Sequence, residues 1–174
     1  MKNKKITSAS SAVSAVRKNV VVIGLGNVLL SDEGVGVHIV KRLSEQQAKF
    51  PFVNFIDAGS AGLSLLHLIA NRKKAVIIDC AKMGASTGRH TAKPGTIKRF
   101  AAGEVQSIKR LSRFSLHEVD ILQVITLSKQ LGECPGEIVF FGIEPESLEP
   151  GQELSRTLSA RIDGYIADIC KEIV

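Results

Sequence analysis

Four acidic side chains and one histidine stand out by type and position: Asp32, Glu33, Asp57, Asp79 and His117. The acids close apolar runs. Val20-Val21-Val22-Ile23 leads through a glycine turn to Asp32-Glu33, Phe52-Val53-Asn54-Phe55-Ile56 ends at Asp57, and Ala75-Val76-Ile77-Ile78 ends at Asp79. Runs of this kind read as buried strands. In open α/β sheets ligands bind outside the carboxyl ends of strands. A single strand-terminal Asp is ordinary turn chemistry. Three acidic segments delivered to one edge repel one another, and call for a cation or for shared protons. A histidine near such a cluster gains a reading as a metal ligand.

Each residue also has a plainer reading. Asp32 is a good helix N-cap, and acids in a first turn suit the helix dipole. Ser115 with Glu118 three residues later forms a capping box, which places His117 in the first turn of a helix. A helix N-terminus disfavours the imidazolium and leaves a neutral ligand, but a single histidine in that place also serves as a structural or solvated residue.

The elements that would carry these residues follow in order. Gly24 and Gly26 permit a tight turn after the first strand, and Asn27 can tie the loop with its side-chain amide. Val35, Val37, Ile39, Val40 and Leu43 give a helix over about Glu33–Gln47 its apolar face. A second strand ends in Asp57-Ala58-Gly59-Ser60, followed by a short leucine-rich helix over 63–69. A third strand ends at Asp79-Cys80, and a polar loop over 83–94 contains His90. Gly95–Phe100 reads as a short strand, antiparallel at an edge, and a helix runs from Ser115 to about Leu131 after a connection holding Arg113. A fourth core strand covers Glu137–Ile143, and a stiff loop over 144–151 leads to a last helix over Ser155–Ile173. The alternation predicts an α/β fold: a single-domain three-layer sandwich, its twisted and mostly parallel sheet of about five strands covered by helices on both faces.

Composition narrows the function. The 174 residues suit one domain, and 44% apolar residues are ordinary for a globular chain. Lys2, Lys4, Lys5, Arg17 and Lys18 carry all but one of the +6 net charge, so residues 1–18 are expected to form a flexible basic tail before a nearly neutral domain over 19–174. With no basic–aromatic interleaving, nucleic acid is not an expected partner. No apolar run approaches the roughly 18 residues of a membrane span, and the tail is too polar for a secretory signal. Three separated cysteines without a C-x-x-C fit a reducing cytoplasm.

Two familiar sites are disfavoured. Gly24-Leu25-Gly26 begins a dinucleotide fingerprint, but Leu29 occupies the third glycine position, and Asp57 lies 31 residues beyond Gly26 rather than the roughly 20 expected of a ribose-binding acid. No nucleotide is expected. Cys80 with His117 would make a thiol–imidazole pair, but a cysteine ending a strand reads first as a small core residue. H-E-x-x-H and G-x-S-x-G are both absent.

The first segment, G-x-G-N-x-L-x-x-D-E-G-x-G over residues 24–36, resembles the opening motif of the hydrogenase maturation endopeptidases. Asp57-Ala58-Gly59-Ser60, Asp79, Ser115-x-His117-Glu118 and Gly142-Ile143-x-Pro145-Glu146-Ser147 are similar to that family's later motifs, in order, over about residues 20–173. The resemblance implies an aspartyl-type endopeptidase that trims the C-terminal extension from a nickel–iron hydrogenase large-subunit precursor once nickel is in place. It implies Glu33, Asp79 and His117 as the nickel-contacting residues, with nickel carried by the precursor rather than resident. Asp57 matches an acid associated with cleavage, while Gly24, Gly26, Asn27, Asp32, Gly34 and Gly59 shape the loops. A nickel-binding chaperone that does not cut is the other reading.

Overall fold

The computed structural model describes residues 19–83, 92–104 and 117–173, with residues 117–120 as backbone only. The basic segment 1–18, His90, Arg113 and Ser115 lie outside the described residues.

Five strands form one sheet: β1 (Val20–Leu25), β2 (Val53–Gly59), β3 (Lys74–Cys80), β4 (Ile97–Ala101) and β5 (Glu137–Ile143). Their order is β2-β1-β3-β5-β4. The first four in that order run parallel, and β4 joins β5 antiparallel at the edge. Central strands of a parallel sheet are covered on both faces, which is why β1, β3 and β5 read as continuous apolar runs. Val21, Val22, Ile23, Val76, Ile78 and Ile143 are all fully shielded from solvent.

Strand alternation divides the core in two. Val22, Val53, Val76, Ile78, Val139 and Ile143 face one side, where α1 (Val35–Ser44) and the C-terminal helix pack. Val21, Ile23, Ala75, Ile77, Ile138 and Phe140 face the other, against α2 (Leu65–Ile69) and α3 (His117–Gln130). Each such aliphatic side chain contributes roughly 1.5–3 kcal/mol when withdrawn from water.

Two helices differ from the sequence expectation. The first helix does not begin at Glu33: a 3₁₀ turn over Ser31–Gly34 precedes α1, with no side-chain cap at either start. Asp32 is not an N-cap, because its carboxylate is engaged by a distant loop. The last helix is broken into α4 (Arg156–Ser159) and α5 (Ile162–Ile173). At the break the Arg161 N–H donates to Leu158 O, a three-residue bond that tightens the turn, and Arg161 Nη1 and Tyr165 Oη both donate to Gly95 O. Ser155 does cap α4, accepting from the Leu158 N–H.

Candidate metal-reading and peptide-cleaving site

The connection between β1 and α1 is packed so closely that it depends on missing side chains. A Cβ on Gly26 would lie 1.7 Å from Glu33 O, and Gly26 holds a φ of +125°. A Cβ on Gly36 would lie 2.4 Å from Ile78 O, so α1 begins directly on the backbone of β3. Gly24 and Gly34 similarly face Gly36 O and Val28 Cα. Asn27 accepts from the Leu29 N–H at 3.0 Å and turns the chain between them. This knot fixes Glu33 over the carboxyl ends of β1 and β3.

A second clamp comes from the loop after β5. Ser31 N–H donates to Gly151 O, and Gly151 N–H donates to Leu29 O. Asp32, fully buried, accepts from the N–H groups of Glu146, Ser147 and Ser155 at 2.7–3.0 Å. Three charge-assisted bonds to one carboxylate tie the early loop, the late loop and the start of α4 together.

Asp79, near the end of β3, is buried, with its Oδ1 accepting from the Cys80 N–H at 2.8 Å. Its Oδ2 and the Oε2 of Glu33 are both shielded from solvent. Strand parity puts Asp79 on the side of Ala75 and Ile77, the face covered by α3. That helix returns to the start of the sheet, since Glu133 just beyond it accepts from the Asn71 N–H ahead of β3. Its first residue, His117, therefore lies toward the carboxyl edge, although its side chain is outside the described residues. Glu144, buried beyond β5, accepts from the Met83 N–H. Burial first, then the charges of Asp79, Glu33, Asp32 and Glu144, push the Cys80 thiol far above its ordinary pKa. Four acids thus act on one buried spot, a negative region that attracts a cation. Among the described residues no three His, Cys, Asp or Glu side chains form a ready metal cage. Carboxylates such as those of Glu33 and Asp79 are hard oxygen donors.

Asp57 stands apart from this cluster. It shares the edge, level with Gly24, but parity turns it to the α1 side with Val53 and Phe55. There it is exposed, with its carboxylate 3.4 Å from Lys41 Nζ and accepting from the Gly59 N–H at 3.1 Å. The register slips beside it: Gly24 pairs with Asp57, but Leu25 pairs with Gly59. A bulge there re-aims the strand end, and Gly59 takes a φ of +51° with open space where a Cβ would point. His38 sits between Asp57 and Lys41 electrostatically; burial, then Lys41, holds its pKa below the ordinary 6.5. Sequence reasoning passed over His38, Lys41 and Glu144. Glu144 carried the same strand-terminal signal as Asp79.

Comparison with known proteins decides the family. The model of the HycI hydrogenase maturation proteases matches residues 37–172. The chain belongs to the hydrogenase maturation proteases. It is 34% identical to the hydrogenase 2 maturation protease of Escherichia coli over 150 residues, 86% of this chain and 87% of that protein. It is 31% identical to the hydrogenase expression/formation protein HupD of Rhodobacter capsulatus, over 90% of this chain and 71% of that one. The solved structure of the hydrogenase maturating endopeptidase HybD from E. coli superposes with a TM-score of 0.74 at 30% identity, covering 88% of this chain and 91% of that one. This maturation protease is accordingly an endopeptidase, a hydrolase of peptide bonds. No helix among its described residues is long and apolar enough to cross a membrane.

Proposed function

We propose that this protease removes the C-terminal extension of a nickel–iron hydrogenase large-subunit precursor after nickel insertion, and that it acts in the cytoplasm. Nickel arrives as part of the substrate and is read by Glu33, Asp79 and His117. The observation that carries this reading is the convergence of Glu33, Asp79, Asp32 and Glu144 on one buried region beside the carboxyl end of β3. Negative charges gathered in one region attract a cation. A precursor that has not received its metal lacks that attraction, so metal content gates cleavage.

Hydrolysis adds water across the scissile amide: the oxygen bonds the carbonyl carbon, and a proton passes to the leaving nitrogen. Asp57 is the acid we assign to orienting or activating that water, or to holding the substrate backbone. Its exposure and its place beside a bulge support the role. Lys41 Nζ stands 3.4 Å from its carboxylate. Asp57→Asn should stop processing, and unchanged processing would remove Asp57 from the reaction.

The deciding experiment mixes the full-length protein with nickel-loaded and nickel-free precursors and records intact masses. Loss of a C-terminal peptide from the loaded precursor alone is expected, and Glu33→Gln, Asp79→Asn and His117→Ala should each abolish it. Equal cleavage of both forms would overturn nickel gating. Retained nickel binding without cleavage of any precursor from the same organism would favour the non-cutting chaperone.

A further inference from the structure

We infer that the outer edge of β2 binds the precursor as an added strand, seating the extended segment that flanks the scissile bond beside Asp57. The inference rests on the proposed precursor-processing function and specifies how the substrate is held.

The direction of the backbone groups follows from the ladder. Val20 N–H donates to Phe52 O, and Val20 pairs in register with Val53. Alternation along a strand then turns Asn54 and Ile56 toward β1, and turns Val53, Phe55 and Asp57 outward. Val53 is already served: its carbonyl accepts from Gln47 Nε2 at 3.1 Å, and its N–H donates to Phe50 O. Gln47 and Phe50 thus close the amino end of the edge, and among the described residues no backbone bond reaches the outward N–H and C=O of Phe55 and Asp57. The open stretch ends at the candidate cleavage acid.

The two edges of the sheet are treated differently. Proteins guard free edges with charged residues and proline, because an undefended edge recruits other chains. On the β4 edge, Lys98 and Arg99 are exposed and supply such charges. β2, Val53-Asn54-Phe55-Ile56-Asp57-Ala58-Gly59, has no Lys, Arg or Pro; its one charge, Asp57, and its bulge both fall at the carboxyl end, and all its residues after Val53 retain some exposure. An endopeptidase must take its substrate extended, and main-chain pairing on a sheet edge holds an extended peptide with little demand on its sequence. Leu29 and Leu63, 57% and 64% exposed in the loops after β1 and β2, offer apolar contact at the same end.

The test is residue-resolved amide exchange of the intact protein with and without nickel-loaded precursor, while cleavage is read by mass in the same tube. Precursor should slow exchange at Phe55 and Asp57 by about tenfold or more, with little change at Asn54 and Ile56, which already bond β1. Cleavage without added protection at Phe55 and Asp57 would overturn the edge. Protection before precursor is added would also overturn it, assigning the edge to a second copy if it grows with protein concentration, and to this chain's own segments if it does not. Absence of cleavage would count against the proposed function itself, and this inference would go with it. A second measurement separates backbone from side chain: Phe55→Pro removes the outward N–H, whereas Phe55→Ala removes only the ring. KM should be about tenfold higher for the Pro variant than for the Ala variant, the scale of one lost hydrogen bond. Equal KM values would sink the proposal.

Discussion

Removing the buried Asp32 carboxylate would take the acceptor from three part-buried backbone N–H groups, those of Glu146, Ser147 and Ser155. Each unsatisfied buried donor costs roughly 1–3 kcal/mol. Asp32→Ala is therefore expected to lower unfolding free energy by about 3 kcal/mol or more in urea titration, and Asp32→Asn by less, since an amide oxygen still accepts. A loss below about 0.5 kcal/mol, the range of an ordinary surface change, would refute the clamp. Its neighbour Cys80 makes the opposite case. Burial and surrounding acids keep that thiol protonated, and a nucleophile must be a thiolate. Cys80→Ala should thus retain precursor processing, and an inactive but folded variant would restore the thiol protease. The two residues share a neighbourhood; hydrogen bonding makes one carboxylate structural, and burial among acids keeps one thiol inert.

At the scale of elements, the β1–α1 connection is the part most sensitive to added atoms. Gly36→Ala would place a methyl 2.4 Å from Ile78 O and 2.5 Å from Leu25 O, both backbone atoms that cannot swing aside. That variant is expected to lose the cooperative thermal transition expected of the unaltered chain, whereas Gly164→Ala in α5, with open space at its Cβ, should keep it. Much of this element could be read in advance. Apolar runs predicted the strands, and the glycine spacing marked the turn. What each glycine packs against was not legible, because Gly36 meets Ile78 only through the register of β1 with β3. The same limit separates Asp57 from Asp79. Both end strands and share an edge, but their opposite faces follow from parity counted along paired strands. The 3₁₀ start before α1 was hidden for a related reason: Asp32 is drawn away from a capping role by a loop more than a hundred residues later. His117 was placed by local signals alone; it lies in the described helix, while Ser115, its expected cap, is outside the described residues.

Across the molecule, the acidic site and the strongest ion-pair network lie at opposite ends of the sheet. Lys74 and Glu137 begin β3 and β5, at the amino ends, and both join Glu172 and Arg99 in one network. Arg99 Nε donates to Glu172 Oε2 at 2.6 Å and its Nη2 to Oε1 at 3.0 Å, while Lys74 Nζ also donates to Oε1. The last turn of α5 is thereby fastened to β3, β4 and β5. The hydrogen bond from Arg99, then Lys74, lowers the Glu172 pKa from 4.5 to about 2. A carboxylate held below its unfolded value stabilises the fold above that value, and the contribution fades as acid protonates it. The stability it confers should therefore be full above pH 4.5 and lost as pH falls toward 2. Glu172→Gln is expected to be less stable than the unaltered chain at pH 7, with the two denaturation midpoints converging near pH 2. Parallel curves across that range would mean the network adds no pH-dependent stability. Because the network sits away from Glu33, Asp79 and Asp57, processing per folded molecule at neutral pH should be unaffected by Glu172→Gln. Matched charges thus hold the last helix on the sheet at the end away from the acids of the carboxyl edge.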